Sequence, residues 1–184
     1  MPPSPISPYA VSKLAGEHYC QSFTELYGFE TVILRYFNVF GPRQNPKSEY
    51  AAVVPKFIHM VLHGERPTIN GDGSQTRDFT YVENVVQANL LAAAQGGVAG
   101  RMFNIATGQQ VPLLQMLHIV ERICGRKVEP DFKPRRTGDV EHSVAAIDEA
   151  RAGLGYEPRV SLEEGLRRTV EAVRQELGEG VPSA

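Results

Sequence analysis

Ser7-Pro8-Tyr9-Ala10-Val11-Ser12-Lys13 stands almost at the start of the chain, and the rest is read outward from it. Ser7 is a good N-cap. Pro8 suits the first helical position, where its missing N–H would have had no partner anyway. A helix beginning here puts Tyr9 and Lys13 one turn apart on one face. A free phenol titrates near pH ~10 and is a poor base at neutral pH, but an ammonium beside a phenol favours the phenolate. Such a pair can take a proton from an alcohol, or return one, when a hydride acceptor lies alongside. The same spacing also fits two neighbours on a solvated helix.

Downstream, this helix is expected to run to about Tyr27 and to stop at Gly28. Val11, Leu14, Ala15, His18, Tyr19, Ser22, Phe23 and Leu26 recur at helical spacing, and most of that stripe is expected to be packing surface. Thr31–Phe37, apolar except at Arg35, reads as a buried parallel strand. Asn38–Tyr50 then reads as a polar loop past the strand's C-terminal end, where open α/β sheets bind ligands. A helix over Val53–His63 follows, closed by Gly64. Gly71-Asp72-Gly73 suggests a hairpin between Thr68–Asn70 and Thr76–Phe79. Thr80-x-x-Glu83 is a capping box opening a helix over Val82–Gln95. Met102–Ala106 and Val128–Phe132 read as short strands, Pro112 opens a helix to Cys124, and Lys133–Asp139 is a basic turn. A short helix near Asp148–Leu154 precedes a second capping box, Ser161-x-x-Glu164, which starts the last helix, to Leu177.

The bulk properties exclude several classes. The 184 residues suffice for one domain or one and a half. With 42% hydrophobic and 22% charged residues and a net charge of −2, nothing points to nucleic acid or a membrane surface as partner. No stretch approaches the ~20 apolar residues of a membrane span. The proline-rich start leads straight into a polar helix, so no leader peptide is expected. Cys20 and Cys124 lack a Cys-x-x-Cys arrangement and read as reduced core thiols of a cytoplasmic protein. His59 and His63 share a helix face but lack a third ligand, so no metal is expected.

Pro-x-Ser-Pro-Tyr-Ala-x-Ser-Lys, followed by a helix, a strand and Arg35-Tyr36-Phe37-Asn38-Val39-Phe40-Gly41-Pro42-Arg43, resembles the extended short-chain dehydrogenase/reductases. More narrowly it resembles their nucleotide-sugar epimerases and dehydratases, from about Pro5 to about Val173. The resemblance implies an α/β fold, the C-terminal part of a Rossmann-like sheet with a small α/β substrate domain. Residues 1–50 would be a remnant of the Rossmann domain and 51–177 mainly the nucleotide-sugar domain. Residues 80–106 would return to the Rossmann sheet, and 178–184 would be a tail. Tyr-Ala-Ala-Val-Val-Pro-Lys at 50–56 and Ile-Asn-Gly-Asp-Gly at 69–73 look most like the UDP-hexose and UDP-N-acetylhexosamine 4-epimerases. A 4,6-dehydratase or a decarboxylase shares most of these motifs.

By that resemblance Tyr9 is the proton acceptor, and Lys13 stabilises its phenolate and holds the nicotinamide ribose of NAD. Tyr36 and Asn38 border the cofactor, and Asn38 also reaches the diphosphate or the sugar. A purely structural role for Asn38 at the strand end stays open. Val54 begins the helix that covers the nucleotide, and Ile69 and Asn70 enclose the base. Arg77 lies in Gly-Asp-Gly-Ser-Gln-Thr-Arg-Asp-Phe-Thr-Tyr-Val-Glu-Asn and would fork onto the diphosphate, unless it pairs with Asp78 or Glu83 instead. Arg136 would bind phosphate and Asp139 the ribose hydroxyls, with Arg135 an equal candidate for the phosphate. Partners implied are a UDP-sugar and a second copy of the chain, as a homodimer.

One part of the pattern does not occur in the sequence. A family enzyme opens with a strand, Gly-x-x-Gly-x-x-Gly and a helix, which cradle the dinucleotide pyrophosphate. It also supplies a Ser or Thr from an earlier strand. At about 30 residues per βαβ unit, neither fits within residues already assigned. The expectation is a chain that is catalytically silent by itself, or one that only binds nucleotide-sugar or dimerises.

Overall fold

The computed structural model describes residues 3–45, 53–135 and 140–178. Its first element is helix α1, Pro8–Tyr27, and it starts as the sequence dictates. Ser7 Oγ accepts from Ala10 N at 3.1 Å, and Gly28 closes the helix at φ +63°. What the helix buries differs from the expectation. No residue of α1 is buried, and Val11, Tyr19, Phe23 and Leu26 all face outward. The half-buried face is Ser7, Ala10, Leu14, Glu17, Cys20, Gln21 and Thr24, which recurs at helical spacing and mixes polar with apolar residues. The apolar stripe is therefore surface on this chain, and α1 is attached chiefly by polar contacts.

Strand β1, Ile33–Tyr36, is shorter than the apolar run suggested and pairs in parallel with β6, Met102–Ile105, in the register Ile33↔Met102 to Tyr36↔Ile105. It is only partly covered: Ile33 is buried, whereas Tyr36 is 49% exposed. Strand β2, Val39–Phe40, lies in what was expected to be loop, and pairs in parallel with β5, Thr80–Tyr81. The Gly71-Asp72-Gly73 turn does not make a hairpin. Strand β3, Thr68–Asn70, pairs in parallel with β8, Asp131–Lys133, while β4, Thr76–Arg77, pairs antiparallel with β7, Val111–Pro112. The turn thus hands the chain between two different partners, because each short flank has a longer-range edge to join.

Helices fill the spaces between these pairs. α2 (Val53–His63), α4 (Leu113–Cys124) and α6 (Leu162–Glu176) enclose a core of Phe57, Ile58, Ile69, Met116, Leu117 and Leu166. α3 (Val82–Ala94) and α5 (Asp148–Leu154) close a second core on β6, with Phe103, Ile105 and Tyr156 at its centre. The two capping boxes fare differently. Ser161 Oγ accepts from Glu164 N at 3.3 Å, as expected. Thr80 does not cap α3: the N-cap is Tyr81, without a side-chain bond, and Thr80 Oγ1 is buried with no hydrogen-bond partner among the described residues. Asn84 instead anchors this end of α3, giving Nδ2 to Val160 O at 2.8 Å and accepting from Arg159 N and Val160 N. No helix among the described residues is long and apolar enough to cross a membrane.

Candidate active site

Tyr9 occupies the first turn of α1 with its ring 72% exposed. Lys13 follows one turn later, and its Nζ lies 5.2 Å from the centroid of the Tyr9 ring, a cation–π approach. Both line an open groove of about 550 Å³ between α1 and β1, whose other walls include Glu17, Cys20, Arg35 and Tyr36. Glu17 and Arg35 form a bidentate pair at the floor, Arg35 Nε to Glu17 Oε1 at 2.6 Å and Nη2 to Oε2 at 2.5 Å. The hydrogen bond to Glu17 holds the Arg35 guanidinium above its usual range. The Tyr36 hydroxyl donates to Asn89 Oδ1 on α3 at 3.1 Å.

Beyond Tyr36 the backbone turns sharply. Asn38 sits at φ +38°, a conformation that Asn adopts more readily than most residues. Its Nδ2 donates to Asp78 O at 3.0 Å, and its own carbonyl accepts from Thr80 N. Asn38 thus ties the end of β1 to the segment joining β4 and β5.

Arg77 lies on β4, half-buried. Its Nη1 donates to Thr76 O at 2.8 Å and to Glu141 O at 3.3 Å. Neither expected carboxylate takes it. Asp78, fully buried, accepts from Thr107 N and Oγ1, Gly108 N and Ala145 N, and Glu83 pairs with Arg168 at 2.8 Å. Among the described residues no carboxylate lies within ion-pair distance of Arg77. Arg135 differs, being held by Glu141 at 2.7 Å and Asp72 at 3.6 Å. That engagement raises the Arg135 guanidinium and lowers the Glu141 carboxyl; the Ser74 hydrogen bonds, more than Arg135, lower Asp72. Of the two arginines equally eligible by sequence, Arg135 is thus committed within the protein. Arg136 and Asp139 lie outside the described residues.

Val54 and Ile69 are core residues with essentially no exposed side chain. Any contribution of theirs to a nucleotide is one of shape or backbone. Asn70 is half-buried, its carbonyl accepting from Gln75 Nε2 at 2.7 Å. The structure therefore gathers Tyr9, Lys13 and Tyr36 on one groove, and joins Asn38 to the Arg77 segment through Asp78. Two further residues support this arrangement. Asp78 reads in sequence as a partner for Arg77 and is in fact the buried knot beneath it. Glu17 has a signal that was available, since it lies four residues past Lys13 and three before the half-buried Cys20.

The model of the NAD-dependent epimerase/dehydratase family matches residues 1–106. The chain is 46% identical to the UDP-glucose 4-epimerase of Thermotoga maritima, solved with UDP-glucose, at a TM-score of 0.91 over 95% of this chain and 56% of that one. It is 40% identical to the UDP-glucose 4-epimerase of Mycolicibacterium smegmatis over 95% of this chain and 55% of that enzyme. It is 35% identical to the bovine dTDP-D-glucose 4,6-dehydratase over 95% of this chain and 49% of that enzyme. The chain therefore spans about half the length of the relatives it matches. Its α/β fold is that of the corresponding part of Rossmann-like epimerases. The chain belongs to the NAD-dependent epimerase/dehydratase family.

Proposed function

We propose that this chain carries the proton-transfer pair and most of the nucleotide-sugar site of an NAD-dependent UDP-sugar 4-epimerase. The observation that supports this most directly is Tyr9 and Lys13 together on an open groove, with a guanidinium at Arg77 that has no carboxylate within ion-pair distance among the described residues. The epimerases are also the nearer matches among the relatives named, at 46% and 40% identity against 35% for the dehydratase. In this reading the Tyr9 oxygen takes the proton from the sugar 4-hydroxyl and later returns it. Lys13 steadies the phenolate and donates to the nicotinamide ribose. NAD, when bound, supplies the hydride acceptor at the carbon being oxidised. The exposed Tyr9 and Lys13 fit the nicotinamide end of that cofactor, whereas no glycine-rich pyrophosphate cradle occurs in residues 1–184.

The remaining assignments belong to the same proposal. Tyr36 and Asn38 border the cofactor, Arg77 and Arg136 receive the diphosphate, and Asp139 takes the ribose hydroxyls. Val54, Ile69 and Asn70 shape the nucleotide pocket. Residues 1–50 together with 80–106 form the Rossmann portion, and the rest of 51–177 the substrate portion. The protein works in the cytoplasm and associates as a homodimer.

The test is a titration of UDP into the wild type, Arg77→Ala and Arg77→Lys at two salt concentrations. A charge-assisted hydrogen bond is worth about 1.5–3 kcal/mol, so Arg77→Ala should weaken binding by roughly ten- to a hundredfold. Arg77→Lys should recover part of the loss, keeping the charge without the fork. Wild-type binding should fall as salt rises, because the contacts are ionic. Affinity unchanged by Arg77→Ala would remove the nucleotide from this site.

A further inference from the structure

Arg35 is the one charge in a strand of Ile33, Leu34 and Tyr36, and nothing in the proposed chemistry uses it. A charged side chain on a partly covered strand face must find a partner or lose hydration for nothing. Arg35 is matched by Glu17, which rises from the middle of α1 to meet it. The fork is complete: each carboxylate oxygen of Glu17 receives its own guanidinium N–H, and the Glu17 side chain is only 13% exposed.

The position of Glu17 on its helix gives that fork a second consequence. Lys13 and Glu17 are four residues apart, so they are surface neighbours on α1 and would ordinarily attract each other. Yet among the described residues no carboxylate lies within ion-pair distance of Lys13, whose Nζ instead stands over the Tyr9 ring. An ammonium cannot both bridge to a carboxylate a turn later and lie over a ring a turn earlier. Packing does not fix the Lys13 ammonium, since Lys13 is exposed.

We propose that Arg35 is a positioning residue for the Tyr9–Lys13 pair: by taking both oxygens of Glu17 it keeps that carboxylate from capturing the Lys13 ammonium. The ion pair then does two things at once. It pins the middle of α1 to β1, and it reserves the Lys13 charge for Tyr9 and for whatever binds in the groove. Without Arg35, Glu17 would be a mostly covered carboxylate whose nearest cation along the helix is Lys13. The inference rests on reading Tyr9 and Lys13 as the working pair, but the arrangement of charges it describes can be tested without any turnover.

The experiment is zero-length carbodiimide cross-linking of the native chain, followed by tryptic digestion and mass spectrometry. An amide between Lys13 and Glu17 removes one water from the peptide and blocks cleavage after Lys13, so it is unambiguous. The wild type should give little or none. Arg35→Gln should give it readily, with α1 still helical by circular dichroism. Arg35→Lys should link Glu17 to the new side chain at position 35 and leave Lys13 free, which keeps the test decisive if Arg35→Gln proves unstable. Equal Lys13–Glu17 linkage in the wild type and Arg35→Gln would overturn the proposal, as would a Lys13–Glu17 link in Arg35→Lys with none to position 35. Either failure leaves the UDP titration untouched, so it is distinguishable from failure of the functional reading.

Discussion

Tyr156 shows what a single buried phenol contributes here. Its side chain is fully buried in the second core, and its hydroxyl donates to Ala106 O at 2.9 Å. Burial first, then the nearby negative charges of Asp78 and Glu157, push its pKa up to about 12. The sign follows directly. The native state holds the phenolic proton more tightly than the unfolded chain, so the stabilisation is complete below the unfolded value near ~10 and is lost as pH rises toward 12. The difference between two proteins is the useful quantity, because it isolates this phenol. Urea unfolding at pH 8 to 12 should show the wild type losing its advantage over Tyr156→Phe across that window. A constant difference between the two would mean that the phenol titrates alike in both states. Asp78 makes the matching point for function: its residue type was readable in sequence, but not the loops near 107 and 145 that converge on it, because such convergence depends on contacts distant along the chain.

Among elements, α1 departs furthest from its sequence reading: its apolar stripe is expected to be packing surface, yet no residue of the helix is fully buried. α1 has a regular apolar stripe, and periodicity identifies a face without saying what that face meets. Caps were legible where the bond is local, as at Ser7 and Ser161, and misleading at Thr80, where a buried strand claims the residue before the helix can. Hairpin reading failed at Gly71–Gly73 for a related reason: a turn signal is local, while strand pairing is decided by which edges lie near. α6 yields the sharpest prediction at this scale. Gly165 stands in its first turns, where Ala would ordinarily favour a helix by about 0.5–1 kcal/mol. A Cβ there would come within 2.8 Å of the Tyr81 ring and 2.9 Å of the Phe40 ring, which already pack edge-on at 5.7 Å. Two rings fixed in a filled core cannot give way as a flexible chain end would. Gly165→Ala should therefore destabilise by about 1–3 kcal/mol, the usual penalty of overpacking. Thermal unfolding that showed a gain would mean that the aromatic pair can move aside.

At the scale of the whole molecule, the outward stripe of α1 is the feature that most needs a counterpart. Val11, Tyr19, Phe23 and Leu26 recur along one face, with Tyr27 beside them at 5.4 Å from Phe23. An apolar row of this length is more than scattered surface hydrophobes, and such patches mark contact sites. An isologous dimer would set two α1 helices against each other, each stripe covering its copy across a two-fold axis. A 20-residue helix is only about 30 Å long, so its face by itself falls short of the ~800 Å² per partner of a standard interface. Association is therefore expected in the micromolar range and should depend on concentration. Sedimentation velocity from 1 to 100 μM should show a monomer–dimer equilibrium for the wild type and a monomer for Phe23→Glu. That substitution places like charges near each other across the axis while disturbing the monomer little, since Phe23 is 48% exposed. Circular dichroism should confirm that the helix survives. A wild type that stays monomeric throughout would remove the homodimer. A dimer that survives Phe23→Glu would move the contact away from α1, for example to the edge of β1 that pairs with no strand among the described residues.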